Sequence, residues 1–343
     1  MPADQRIWSS LKAGKYWLHW PNMYQIIDDN PTDPRKLIFN IEFYITNVCN
    51  LNCVNCNRFN NFDFKGYQKW SDYKEIYAEW ARHVRLQRVT ILGGEPLLNP
   101  TILDWIDGIN GLWNVPVQIL TNGTRLNKIP GLYDRLTKPI DPNKPGIKNW
   151  IGMSLHNRND LDRCFEEVKS FLHGDVKYYH HTDPLNVDNA MTFGATHAFV
   201  DSNDVRIPIW EYDSFYRAAV HLNDHGKFTL YNSDPDKSHS ACGFAMFKCY
   251  HFIRGSLYKC GPVALFPEFD AQHHLDISAQ DRDLLNSYAP LQVDQFADRG
   301  ASFLKEIDQV IPQCKFCPEF SHDEKNSVVV ATLKKTGSTS SFE

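Results

Sequence analysis

From Leu37 to Gly174 the chain repeats one pattern, a short apolar run followed by a segment of helical period. The runs are LIFNIEFYIT (37–46), RVTIL (88–92), VPVQIL (115–120) and NWIGMSLH (149–156). In SDYKEIYAEWARHVR, the side chains of Tyr73, Ile76, Tyr77, Trp80, Ala81 and Val84 fall on one helical face, with Ser71 as N-cap. PTILDWIDGINGL turns Ile102, Trp105, Ile106 and Ile109 inward, and LDRCFEEVKSFLHG does the same with Leu161, Cys164, Phe165, Val168, Phe171 and Leu172 before a stop at Gly174. VKYYHH and THAFVD supply the last strands. Such alternation means βαβ units and a parallel sheet, an α/β fold whose ligand sits at the carboxyl ends of the strands. Four groups fall at those ends: a cysteine loop after Thr46, Gly93 to Pro96, Thr121 to Gly123, and Ser154 to His156.

The cysteine loop, VCNLNCVNCN, holds Cys49, Cys53 and Cys56 within eight residues. A closed tetrahedral metal site needs four ligands, so either a fourth arrives from elsewhere or one metal position stays open. The other six cysteines are Cys164, then Cys242, Cys249 and Cys260, then Cys314 and Cys317. No apolar run reaches the roughly 20 residues a membrane span needs, and the N-terminal stretch lacks the apolar core of a secretory signal. These features predict a cytoplasmic protein, in which clustered cysteines indicate metal rather than disulfides. A net charge of −5 and pI of about 6.3 give no basic field for nucleic acid or an anionic membrane.

Cys49-x3-Cys53-x2-Cys56 after a strand, with Gly93-Gly94-Glu95-Pro96 at the end of the next, resembles the signature of the radical S-adenosylmethionine (radical SAM) enzymes over about residues 37–215. The resemblance implies a partial (β/α)6 TIM-like barrel. It implies a 4Fe–4S cluster held by three thiolates, with an open iron that chelates S-adenosylmethionine (SAM). One electron then cleaves SAM to methionine and a 5′-deoxyadenosyl radical. Gly93 and Gly94 let backbone approach the methionine end, and Glu95 or its backbone accepts from the ammonium, beside Pro96. Asn122 and Ser154 are candidate contacts to ribose or methionine. The sequence departs from the family at Asn55, where an aromatic residue usually packs near adenine. A structural zinc site is the alternative for these three cysteines.

From about Ser238, cysteines and glycines punctuate short segments, the mark of a small domain held by metal. Cys242, Gly255, Cys260 and the pair Cys314-x2-Cys317 resemble the twitch module, a truncated SPASM domain. The resemblance implies a second, auxiliary 4Fe–4S cluster on Cys242, Cys260, Cys314 and Cys317; zinc is again the alternative. Gly255 permits a tight hairpin between the first two ligands. Cys249 is a candidate catalytic hydrogen-atom donor or substitute ligand, against a plain buried residue; His156, His180 and His181 are candidate proton carriers. Tyr44 and Cys164 read as core.

The expected organisation is an N-terminal extension (1–36), a radical SAM core (37–225), an auxiliary cluster domain (238–322) and a partly disordered polar tail (323–343). The expected function is an oxidoreductase-type radical SAM enzyme that removes hydrogen from a small-molecule or peptide substrate. Its auxiliary cluster assists electron transfer, and a flavodoxin- or ferredoxin-like protein serves as electron donor. The alternatives are a peptide- or protein-modifying maturase and a non-catalytic metal-stabilised scaffold.

Overall fold

The computed structural model of the chain describes residues 32–180, 195–212, 218–319 and 331–333. Most of the N-terminal extension, and His181, lie outside them. Among the described residues, nine strands form one open sheet in the order β12-β11-β1-β3-β4-β5-β8-β7-β6. Its strands are β1 (Lys36–Tyr44), β3 (Val84–Leu92), β4 (Val117–Thr121), β5 (Trp150–Leu155), β6 (Lys177–His180), β7 (His197–Val200), β8 (Arg206–Glu211), β11 (Cys249–Ile253) and β12 (Ser256–Tyr258). The run from β11 through β8 is parallel throughout; β12 at one edge, and β7 and β6 at the other, are antiparallel. The sheet is not a closed barrel.

Two expectations are corrected here. VKYYHH and THAFVD do form strands, but as the antiparallel edge; the sixth parallel strand is β8, which carries Pro208. A proline inside a strand removes a ladder donor, so the sequence pattern argued against a central strand there. The cysteine-punctuated segment after 238 is also not set apart from the sheet: β11 pairs along β1, Asn40 opposite Cys249 and Glu42 opposite His251. Its hairpin turns at Arg254 and Gly255, both at positive φ, the type I′ geometry that Gly255 makes accessible.

Alternation along the parallel strands gives the sheet two faces of different chemistry. Ile41, Phe43, Val89, Ile91, Val117, Ile119, Ile151, Tyr250 and Phe252 face helices α1 (Trp70–His83), α2 (Ile102–Trp113) and α4 (Leu161–Phe171) in the main core; α3 (Leu132–Thr137) lies between the last two. Phe43, Tyr77 and Phe252 meet there with ring centroids 5.1–5.4 Å apart. Burial sets the faces of α2 and α4 as the periodicity predicts. In α1, Tyr77 and Trp80 are buried, but Ile76 is exposed, Val84 already belongs to β3, and Lys69 rather than Ser71 occupies the N-cap, without a side-chain cap. The opposite face carries Asn40, Glu42, Thr90, Gln118, Cys249 and His251, then Tyr44, Leu92 and Ile253, which pack under Phe59, Phe64 and the helix Gly261–His273 in a second core.

Candidate functional site: a cysteine loop tied to two strand ends

The loop from Thr46 to Phe59 leaves β1 and contains β2 (Leu51–Cys53). Gly94 N donates to Thr46 O, and Glu95 N donates to Val48 O, both at 2.8 Å. The glycines are required by that contact. A Cβ on Gly93 would stand 2.5 Å from Thr46 O, and one on Gly94 would stand 2.2 Å from Val48 O. What the missing side chains admit in this structure is the cysteine loop itself.

Glu95 is buried, and its carboxylate is engaged by donors of its own chain. Oε1 accepts from Leu97 N (3.0 Å) and Thr121 Oγ1 (2.6 Å), and Oε2 accepts from Asn122 N (2.8 Å). Burial pushes its pKa up to about 7, against the pull of those donors. Its side chain thus locks the second motif to the end of β4. Pro96 opens the short 3-10 turn that follows. Asn122 Nδ2 donates to Asn50 Oδ1 (3.0 Å), and Asn50 Nδ2 donates to Thr124 Oγ1 (2.7 Å), so the β4 end also holds the cysteine loop. Asn122, Ser154 and His156 line one cleft with Leu51 of the cysteine loop and Cys164 of α4. Burial lowers the pKa of His156 to about 4, so its ring is neutral at pH 7. Asn55 sits at φ 61°, a left-handed conformation that asparagine tolerates better than an aromatic residue. His180 lies on the antiparallel edge, its ring 5.1 Å from that of His197, away from this cleft's lining.

Cys53 is buried, with Cys49 and Cys56 packed beside it. Burial raises the Cys49 pKa, and the nearby charges of Glu95, Cys56 and Cys53 raise it further. The second group forms likewise. Cys242 and Cys260 occupy the N-cap positions of the helices Gly243–Met246 and Gly261–His273, and Cys314 and Cys317 belong to the turn Pro312–Phe316 and its end. Burial pushes the Cys317 thiol well up, reinforced by Cys260, Cys242 and Cys314, so all four share one locality. The buried Lys259 places its cation beside them and donates to Gln309 O. Among the described residues, no three cysteine thiols lie within 4.8 Å of one another. Thiolates around one zinc stand about 3.8 Å apart at a Zn–S distance of about 2.3 Å. Both groups are more open than that, and their all-sulfur donor sets suit an iron–sulfur cluster.

Cys249 stands apart from both groups. Its thiol shares the inner face with Glu42 and His251, and burial and the Glu42 charge keep it protonated. Arg58, Glu42 and His251 were not among the sequence candidates. The available signal was a lone carboxylate inside the apolar run LIFNIEFYIT and an arginine two residues after the third cysteine.

Residues 43–171 match the model of the Radical SAM superfamily. That stretch of the chain is similar to a radical SAM domain. A domain of this family implies SAM and a 4Fe–4S cluster, and the open three-thiol loop fits that cluster. A probable GTP 3′,8-cyclase of Methanothermobacter thermautotrophicus is 25% identical over 165 residues, 47% of this chain and 50% of that protein. An S-adenosylmethionine-dependent nucleotide dehydratase of Flammeovirga pacifica is 28% identical over 152 residues, 42% and 48% of the two chains. The chain therefore spans about half the length of the curated relatives it matches. The solved structure of BtrN in complex with AdoMet and 2-DOIA aligns over 86% of this chain and 99% of that one, at 12% identity and a TM-score of 0.41. Among the described residues, no helix is long and apolar enough to cross a membrane.

Proposed function

We propose that the protein is a radical SAM enzyme with two iron–sulfur sites flanking the inner face of its sheet. Cys49, Cys53 and Cys56 hold a 4Fe–4S cluster with one iron left for SAM. Cys242, Cys260, Cys314 and Cys317 hold a closed auxiliary cluster in a twitch- or SPASM-like arrangement. When bound, the first cluster and SAM supply a 5′-deoxyadenosyl radical that removes hydrogen from the substrate.

The chain's own residues do the positioning. The Gly94 and Glu95 amides fix the cysteine loop, and Glu95 fixes the β4 end against it. Asn122 and Ser154 line the cleft beside Leu51 and would offer polar contacts to the ribose or methionine part of SAM. The protonated Cys249 thiol on the inner face is suited to return a hydrogen atom to a substrate radical, and an electron carrier of flavodoxin or ferredoxin type is the expected donor.

The observation that carries the reading is the direct bonding of three strand-end motifs into one unit around three thiols. It is tested by anaerobic reconstitution, reduction and measurement of 5′-deoxyadenosine. Wild-type protein produces it, and Cys53→Ala does not. Equal production by both proteins refutes the reading.

A further inference from the structure

Four residues stand directly opposite one another across four neighbouring strands on the inner face: His251 on β11, Glu42 on β1, Thr90 on β3 and Gln118 on β4. Thr90 Oγ1 donates to Gln118 Oε1 at 3.1 Å. Arg58 reaches into this row from the cysteine loop and pairs with Glu42 Oε2. His251 Nε2 lies 2.6 Å from the same oxygen and 2.8 Å from Arg58 Nη2. The three groups differ in exposure. The side chain of His251 is 0% exposed and that of Arg58 7%, while Glu42 keeps 17%. Glu42 is thus the most exposed of the three, and its carboxylate also accepts from the Cys249 thiol. Burial opposes its charge, but Arg58 and His251 hold its pKa down at about 2.

The row also lies between the two cysteine groups. Arg58 is two residues past Cys56, and its guanidinium occupies the space a Cβ on Gly261, next to Cys260, would fill. One buried atom of the row, His251 Nδ1, has no hydrogen-bond partner among the described residues. Such groups cost stability unless a ligand or water meets them. A metal ion does not suit this place, although Glu42, Cys249 and His251 are close enough to ligate one, because the Arg58 cation already occupies the carboxylate.

We propose that Glu42 is the substrate-binding carboxylate of the inner face, accepting a hydrogen bond from a hydroxyl group of a polyhydroxylated small molecule. The class follows from the charges. Arg58 neutralises Glu42, and Arg88 adds a further cation near Cys249, so an ammonium group is repelled. The rest of the row, Thr90 and Gln118, offers neutral polar partners of the kind that reads hydroxyls. This inference rests on the radical SAM reading.

The test uses anaerobic, cluster-loaded protein with SAM and saturation-transfer NMR. The probes are cyclitols, hexoses and nucleosides, set against hydroxyl-free carboxylates, amines and short peptides of similar size. We expect binding among the hydroxylated probes. The best of them weakens at least tenfold in Glu42→Gln and severalfold in Thr90→Val, which leaves the ion pair intact. Binding confined to hydroxyl-free probes, no binding by any hydroxylated probe, or affinities within twofold of wild type in both variants overturns the proposal. Wild-type 5′-deoxyadenosine formation, measured in parallel, separates the two readings. Its absence removes the enzyme reading and this one together; its presence with any of the overturning results removes this one alone.

Discussion

Gly94→Ala is the sharpest test of how the cysteine loop is held. The added Cβ would stand 2.2 Å from Val48 O, 2.6 Å from Val48 C and 2.9 Å from Cys49 Cβ, where ordinary contact begins at 3.4 Å. Every one of these atoms is backbone or next to it, so no side chain can swing aside. The loops must part by more than 1 Å. That movement breaks the 2.8 Å bonds from Gly94 N to Thr46 O and from Glu95 N to Val48 O, at about 1 kcal/mol each. Overpacking adds about 1–3 kcal/mol. The total, roughly 3–5 kcal/mol, is a large share of a domain's stability. Gly111→Ala is the internal control. It lies in α2 with nothing within 4 Å of the new methyl, and alanine there gains up to about 1 kcal/mol of helix propensity. Urea denaturation followed by tryptophan fluorescence, with iron per chain after reconstitution, compares the pair. Gly94→Ala should unfold earlier and lose the iron of the three-cysteine loop. A Gly94→Ala protein within 1 kcal/mol of Gly111→Ala and fully loaded with iron would refute the reasoning.

Three further outcomes are expected. The folded pKa of Glu95, about 7, lies above its ordinary 4.5, so the native state binds the extra proton between those values. Stability accordingly falls as pH rises through that window, by roughly 3 kcal/mol in all. Glu95→Gln mimics the protonated acid and removes the slope, and parallel urea curves for the two proteins at pH 5 and pH 8 would count against this. Cys317→Ala should lower iron from about eight to about four per chain, while Cys164→Ala, a core change in α4, leaves it unchanged; equal iron in both variants removes the auxiliary cluster. Trp80→Phe deletes the 2.8 Å bond from Nε1 to Gly255 O, leaving a buried carbonyl short at about 1–3 kcal/mol. Faster amide exchange in the β11–β12 hairpin reports that loss, and unchanged protection there contradicts it.

Much of the architecture was legible because the first strands and helices are local, periodic and amphipathic. The inward faces of α2 and α4 follow directly from the 3.6-residue repeat. The cysteine loop and the Gly-Gly-Glu-Pro turn announced themselves by spacing. What escaped was set by distant parts of the chain. Nothing near Cys249 shows that its strand lies against β1, and Pro208 conceals a central strand. Glu95 read as a ligand contact through its place in the Gly-Gly-Glu-Pro motif; only the fold reveals the amides of Leu97 and Asn122 that donate to its carboxylate. The Arg58–Glu42–His251 group is assembled from three separate segments, and no spacing rule joins them. Composition pointed to disorder in the C-terminal tail, yet Ala331–Leu333 forms the strand β13, antiparallel to Leu51–Cys53; the rest of that tail lies outside the described residues.

That last pairing has a consequence for how the protein is made. Ala331 lies opposite Cys53, and Leu333 opposite Leu51, so the strand that flanks the cysteine loop is translated long after the loop itself. At about 5–20 residues per second, the thiols wait on the order of tens of seconds for their neighbour. During synthesis they are open on that side to an iron donor and to oxidants alike. If the loop holds the proposed cluster, insertion before the ribosome reaches residue 331 would meet a different loop edge from insertion afterwards, which ties the timing of iron delivery to the strand order.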